Sequence, residues 1–90
     1  MRPRINTKFG KLTREELFTH LFDNNVYGLK VKRISEDLLE YTFCMMFRST
    51  REKPEEIHIE VSRKSKFVLS AWTDKRKFET KEQLIKYTTR

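Results

Sequence analysis

Three side chains in this sequence carry the chemistry most often used in nucleophilic or acid-base catalysis: Cys44, His20 and His58. Cys44 and His58 are predicted to lie on the same outward face of two neighbouring strands. Their side chains could therefore form a cysteine–histidine pair. However, a cysteine between Thr42 and Met46 usually serves as a small packing residue, and a histidine between isoleucines is usually a solvated side chain. We therefore predict a protein without a catalytic site.

The sequence also lacks the ligand sets of common metal and cofactor sites. Two histidines and one cysteine do not make a zinc site without carboxylates, and no acidic run resembles a calcium loop. The only glycines, Gly10 and Gly28, are too far apart for a glycine-rich phosphate loop. We expect neither a metal nor a cofactor.

The cysteine count and the apolar runs predict a cytoplasmic location. A single cysteine allows no intramolecular disulfide, which fits a reducing compartment. No apolar run approaches the ~20 residues of a membrane span, and the first residues lead into polar sequence without a signal-peptide core. We expect no association with membranes.

Basic side chains are the remaining source of chemistry. The chain of 90 residues has a formal net charge of +7 and a sequence pI near 9.8, in the range typical of nucleic-acid-binding domains. Residues 63–90 hold nine basic and three acidic side chains, whereas residues 38–62 hold three basic and five acidic ones. Phosphate backbones favour such clusters of cations through counterion release.

The predicted elements begin with a basic arm over residues 1–11, which hold four basic side chains and no acid. A single domain follows over 12–90, since a chain of this length has room for one core. Thr13 and Glu16 have the capping-box spacing that opens a helix, and Leu17 and Leu21 give this helix an apolar face. A second capping-box pattern, from Thr80 to Gln83, opens a short final helix.

Four predicted strands lie between the helices, each indicated by alternating apolar and polar residues. Their inward sets are Tyr27, Leu29 and Val31; Leu39, Tyr41, Phe43, Met45 and Phe47; Ile57, Ile59 and Val61; and Phe67, Leu69 and Ala71. These elements predict a two-layer α+β fold, a four-stranded antiparallel meander with an N-terminal and a C-terminal helix packed on one face, in the order α-β-β-β-β-α.

A meander places the connection between the second and third strands at the same end of the sheet as the turn after the fourth. We predict that this end binds DNA or RNA phosphates, with the arm as an auxiliary clamp. The predicted contacts are Arg2, Arg4, Arg48, Arg51, Lys53, Lys75, Arg76 and Lys77.

The main alternative is a small protein-interaction module, such as an inhibitor or adaptor from a mobile genetic element, that binds an acidic protein partner. Its predicted contacts are Met46, Val68 and Trp72 on the uncovered face of the sheet, or else an exposed edge strand. Trp72 also suits base stacking, although stacking platforms usually present two or more aromatic rings. Formation of a homodimer is a third alternative.

Overall fold

In the computed structural model, a five-stranded antiparallel sheet is combined with one helix near each end of the chain. The structure describes Phe9, residues 11–46 and residues 55–90. The elements are α1 (Arg14–Asp23), β1 (Val26–Arg33), β2 (Leu38–Met45), β3 (Ile57–Ser62), β4 (Val68–Trp72), β5 (Lys77–Phe78) and α2 (Lys81–Tyr87). The strands lie in sequence order, so the predicted α+β meander with two terminal helices is confirmed. The described residues form five strands and not the predicted four.

The additional strand is β5, which has only two residues and therefore shows no alternation in the sequence. Phe78 pairs with Ala71 and is 4% exposed, so β5 extends both the sheet and its core. The turn before β5 is closed by the Thr73 hydroxyl, which accepts hydrogen bonds from the amides of Lys75 and Arg76 at 3.1 Å each.

Both helices pack on the same face of the sheet. His20 of α1 lies 3.0 Å from the Thr88 hydroxyl that follows α2, and Glu16 of α1 forms an ion pair with Lys81 of α2 at 3.5 Å. One core lies beneath the two helices. Its most deeply buried apolar side chains are Phe9, Leu12, Leu17, Leu21, Phe43, Met45, Ile57, Ile59, Val61, Ala71 and Leu84.

The capping residues predicted for both helices are confirmed. The Thr13 hydroxyl accepts from the Glu16 amide at 3.2 Å, and the Thr80 hydroxyl accepts from the Gln83 amide at 3.2 Å. After α1, Asn25 takes a positive φ of 64°, which lets the chain turn sharply into β1. Within the described ranges, no helix is long and apolar enough to cross a membrane.

Removal of the Thr13 hydroxyl should cost stability. We expect Thr13→Ala to lower the free energy of unfolding by about 1 kcal/mol, because the Glu16 amide loses its acceptor. The matched control is Thr19→Ala, an exposed position within the same helix, where alanine has the higher helix propensity. Urea denaturation compares the two variants, and an equal loss of stability would contradict a capping role.

A bulge in β4 changes which residues face the core. Val61 pairs with Val68 and Glu60 pairs with Ser70, so Leu69 is an extra residue in the strand. As a result Val68 is 2% exposed, and Leu69 is half-buried. The prediction that Val68 faces outward is wrong, because strict alternation does not allow for an inserted residue.

A second bulge interrupts β1 at Gly28 and Leu29, which together stand where regular pairing would place one residue. Gly28 has a φ of 69°, a left-handed conformation that glycine adopts without a Cβ clash. Tyr27 pairs with Cys44 and so lies on the face opposite the helices, which corrects its predicted inward position. Val31 lies on the helix side as predicted, yet it is 59% exposed.

Candidate functional site

The predicted phosphate contacts fall in two parts of the chain. Those that lie outside the described residues are Arg2, Arg4, Arg48, Arg51 and Lys53. Lys75, Arg76 and Lys77 are described, and all three are exposed in the turn between β4 and β5 and in β5 itself. The geometry of the candidate site is therefore built from this turn and the elements around it.

A cleft of about 440 Å³ opens between β5 and α2 beside this turn. Its lining residues are Arg76, Lys77, Phe78, Gln83, Lys86 and Tyr87. We call this site the basic cleft, because three of the six described residues that line it are cations and none of these six is a carboxylate. Among the described residues, neither Lys77 nor Lys86 has an ion-pair partner.

Helix α2 adds Gln83 and Lys86 to the basic cleft, and neither residue is among the contacts predicted from the sequence. They lie three positions apart and so share one helix face. The Gln83 Oε1 atom accepts from the Glu79 amide at 2.7 Å, which ties this side chain to the start of the helix and leaves its amino group as a donor. The sequence signal for these two residues is that each directly precedes an apolar residue of the buried face of the helix, Leu84 or Tyr87.

Arg76 is held in place by Tyr87 and Glu55. Its guanidinium carbon lies 4.8 Å from the centre of the Tyr87 ring, and its Nε atom lies 4.0 Å from a Glu55 carboxylate oxygen. The Tyr87 hydroxyl donates to the other Glu55 oxygen. Because 52% of the Arg76 side chain remains exposed, its outer edge can still donate to a ligand. Glu55 offsets part of the Arg76 charge, so Lys77 and Lys86 supply most of the positive charge of the cleft.

The Glu55 carboxyl is stabilised in its charged form. Burial raises the pKa of Glu55, but hydrogen bonds from Thr73 and Tyr87 and the charge of Arg76 outweigh burial and bring the pKa below its ordinary value. A lowered pKa contributes stability that is complete above the unfolded-state pKa and is lost as the pH falls through the folded-state pKa. The charged Glu55 carboxylate therefore stabilises the fold at neutral pH and also holds Arg76 in position.

We expect Glu55→Gln to destabilise the protein by roughly 1 to 2 kcal/mol at pH 7, because a charged acceptor is lost. The difference from the wild type should shrink below about pH 4, where the unfolded-state carboxyl takes up a proton. Glu56→Gln is the matched control, since Glu56 is the adjacent exposed carboxylate. Urea denaturation at several pH values measures this effect, and a pH-independent difference would contradict it.

Trp72 lies on the uncovered face of the sheet, as predicted, but one face of its ring is occupied. The Trp72 and His58 rings stack with centroids 5.5 Å apart and an interplanar angle of 13°. The His58 Nδ1 atom lies 2.9 Å from Glu40 Oε2 and 3.2 Å from Thr42 Oγ1. Of the three contacts in the alternative prediction, Met46 is exposed, Trp72 is half-buried and Val68 is in the core. They do not form one exposed patch.

Each of the three candidate catalytic side chains has a hydrogen-bond partner of its own. His58 bonds to Glu40 and Thr42, and His20 bonds to Thr88. Burial raises the pKa of Cys44, the charge of Glu56 adds to this effect, and a hydrogen bond with Tyr27 offsets only part of it. The thiol is therefore protonated at neutral pH. In the part of the chain that the structure describes, no three metal-binding side chains come together.

A second basic hollow, of about 250 Å³, lies at the other end of β4. Its lining residues are Arg14, Leu39, Val61, Ser62, Arg63 and Lys66. Two of its three cations already have acceptors, because Arg14 donates to Glu15 at 2.9 Å and Arg63 donates to the Glu36 carbonyl at 2.9 Å. The basic cleft has the larger volume, and among the described residues a smaller share of its cations has an acceptor within the protein.

The position of the basic cleft follows from where α2 begins and from how this helix packs beside β5. The Thr80 cap fixes where α2 begins, and burial of Leu84 and Tyr87 turns Gln83 and Lys86 towards β5. Together with Lys77, these side chains offer donors and positive charge in one concave surface.

No protein-family model matches this chain, and neither a curated protein nor a solved structure matches it.

Proposed function

We propose that this protein binds nucleic acid without catalysing a reaction, and that the basic cleft contacts the phosphates. The observation that supports this function best is the grouping of Arg76, Lys77 and Lys86 around one cleft, with no carboxylate among the described residues that line it. Cations grouped on one surface release several condensed counterions from a phosphate backbone, which is the main source of non-specific affinity. Lys75, exposed in the adjacent turn, adds a further positive charge.

The donors of the basic cleft match phosphate chemistry in complementary ways. The planar guanidinium of Arg76 can donate two parallel hydrogen bonds to one phosphate, whereas Lys77 and Lys86 act as compact point charges. The amino group of Gln83 adds a neutral donor for a phosphate or sugar oxygen. Contacts of this kind fix the position of a nucleic acid and do not read its sequence, so we propose weak sequence preference.

We include the remaining predicted contacts in the same proposal because of their residue types and their place in the sequence. They are Arg2 and Arg4 in the basic arm, and Arg48, Arg51 and Lys53 in the connection between β2 and β3. The alternative, a protein interface around Trp72, has weaker support. The Trp72 ring is stacked on His58, and Val68 contributes nothing to that face.

The direct test is fluorescence anisotropy with labelled single-stranded and double-stranded oligonucleotides at two salt concentrations. We expect micromolar binding that weakens steeply with salt, with a slope of log affinity against log salt near −0.7 to −0.9 for each phosphate contact. Lys75, Arg76, Lys77 and Lys86 alone would give a slope of about −3. Absence of salt-sensitive binding at micromolar protein would refute the proposed function.

A further inference from the structure

The large apolar side chains that are exposed in the described part of the chain gather around β1. They are Phe22, Tyr27, Leu29, Val31, Ile34 and Met46. Three lie within β1, Ile34 follows it, and the Met46 amide donates to the carbonyl of Asn25, just before β1, at 2.9 Å. Single exposed apolar residues are ordinary, but a group of them marks an interaction surface.

Strand β1 also forms an edge of the sheet that no other described segment pairs with. At the opposite edge, β5 pairs with the second half of β4, and the segment before α1 pairs with its start. There, the Val68 amide donates to the Leu12 carbonyl at 2.9 Å, and the Arg14 amide donates to the Lys66 carbonyl at 2.8 Å. Among the described residues, β1 pairs with β2 alone, and seven of its eight residues are exposed. The described part of the chain therefore covers one edge of the sheet and leaves the β1 edge unpaired.

The strand register shows which backbone groups of β1 point away from β2. The Ile34 amide donates to the Leu38 carbonyl at 2.9 Å, so Ile34 directs its amide inward, towards β2. Inward and outward pairs alternate along an antiparallel ladder. Val31 and Arg33 therefore direct their amides and carbonyls outward, to the position that an added strand would occupy.

The two faces of this edge differ in chemistry. On the helix side, Val31 pairs with Tyr41, whose ring packs edge-to-face against Phe18 at 5.0 Å. Phe18 in turn contacts Phe22 at a centroid distance of 6.2 Å, so an apolar strip extends from α1 to β1. On the other face, the side chains of β1 beyond the bulge are those of exposed lysines. An added strand would meet the apolar strip on the helix side, with Arg33 at its end, and would meet Lys30 and Lys32 on the other face.

The charge of β1 disfavours a second copy of this chain as its partner. Lys30, Lys32 and Arg33 lie within four residues, and β1 contains no acid. Two copies pairing through β1 would bring three cations from each chain into one seam, and like charges across a strand pair are destabilising. Lysines on a strand edge oppose this kind of self-association.

We propose that β1 is a docking edge for an extended segment of a protein partner in which acidic residues alternate with apolar ones. The segment adds a sixth strand by bonding to the outward backbone groups of Val31 and Arg33. Its acidic side chains lie beside Lys30 and Lys32, and its apolar side chains lengthen the strip of Phe18, Phe22 and Val31. This surface does not include the basic cleft, so the inference does not depend on the proposed function.

The test uses two fluorescein-labelled synthetic peptides matched to the 8 residues of β1, one alternating glutamate with valine and the other alternating lysine with valine. The full chain should bind the acidic peptide at least tenfold more tightly than the basic one, and this preference should weaken with salt. Lys30→Glu combined with Lys32→Glu should reverse the preference. Equal binding of the two peptides would overturn the proposal.

A second comparison tests the backbone pairing. Val31→Pro removes an outward amide and no hydrogen bond to β2, so it should weaken acidic-peptide binding about tenfold. Val31→Ala, which keeps the amide, should have a smaller effect. Methylation of alternate amide nitrogens of the peptide should abolish its binding to the wild-type protein. This comparison uses the wild-type protein alone, so it does not depend on whether the proline variant folds. Unchanged binding in these comparisons would overturn the proposal.

Two other outcomes would assign the edge to another occupant. A dimer in sedimentation equilibrium that Val31→Pro dissociates would show that a second copy occupies β1. Loss of oligonucleotide affinity in the Lys30 and Lys32 variant, with peptide binding unchanged, would show that nucleic acid binds there. Either result would contradict the docking of an acidic segment. Titration of the wild-type protein with oligonucleotides tests the proposed function separately, because that titration does not depend on which partner occupies β1.

Discussion

The double variant Lys77→Glu and Lys86→Glu should lose nucleic-acid affinity by on the order of a hundredfold at moderate salt. Each substitution removes one phosphate contact and places a negative charge in a cleft whose described lining residues include no carboxylate. The salt slope should also become shallower by about two units, one for each lost contact. Anisotropy titration at several salt concentrations measures both quantities.

The matched control is Lys30→Glu with Lys32→Glu, which changes the net charge by the same amount on β1. A charge reversal that acts only through the overall field of the protein would weaken oligonucleotide binding equally in both double variants. A specific cleft predicts a loss for the Lys77 and Lys86 variant and a much smaller loss for the control. Both variants change exposed side chains, so circular dichroism should show an unaltered fold.

Phe43→Ala should destabilise the fold by about 3 to 5 kcal/mol, the largest stability effect that we expect from a single substitution. Phe43 is fully buried in β2 and pairs with Ile57 of β3, so truncation leaves a cavity beneath the helices. Phe22→Ala is the matched control, because Phe22 is 59% exposed and should lose less than about 1 kcal/mol. Equal destabilisation in urea would show that the core is not centred on β2.

The positions of the two proposed surfaces allow both ligands to bind one molecule. The basic cleft borders β5, and the docking edge is β1, at the opposite edge of the five-stranded sheet. Four strand spacings separate these edges, about 19 Å. A nucleic acid in the basic cleft and an extended segment on β1 therefore need not compete. Such a protein would act as an adaptor between a nucleic acid and an acidic protein.

Features that depend on neighbouring residues could be predicted from the sequence. The Thr13 and Thr80 caps follow from the amides available at the start of each helix, a local requirement. The central strands follow from alternation, and Ile57, Ile59 and Val61 are all buried as predicted. The fold class followed because these local signals agreed with one another.

Features that depend on pairing between strands could not be predicted in this way. One inserted residue reverses the alternation between the parts of a strand before and after it, so Val68 and Tyr27, which precede the two bulges, lie on the faces opposite to those predicted. The basic cleft depends on how α2 lies against β5, and no local pattern reports that distance. Lys86 was missed for this reason, whereas Lys75, Arg76 and Lys77 were found because they share one turn.

The measurement that tests the proposed function most directly is a map of amide chemical shifts in ¹⁵N-labelled protein during titration with a single-stranded oligonucleotide at low salt. We expect the largest changes at Lys77, Gln83 and Lys86, with the amides of β1 little affected. Changes centred on β1 or on the face around Trp72, or no changes at all, would contradict nucleic-acid binding in the basic cleft.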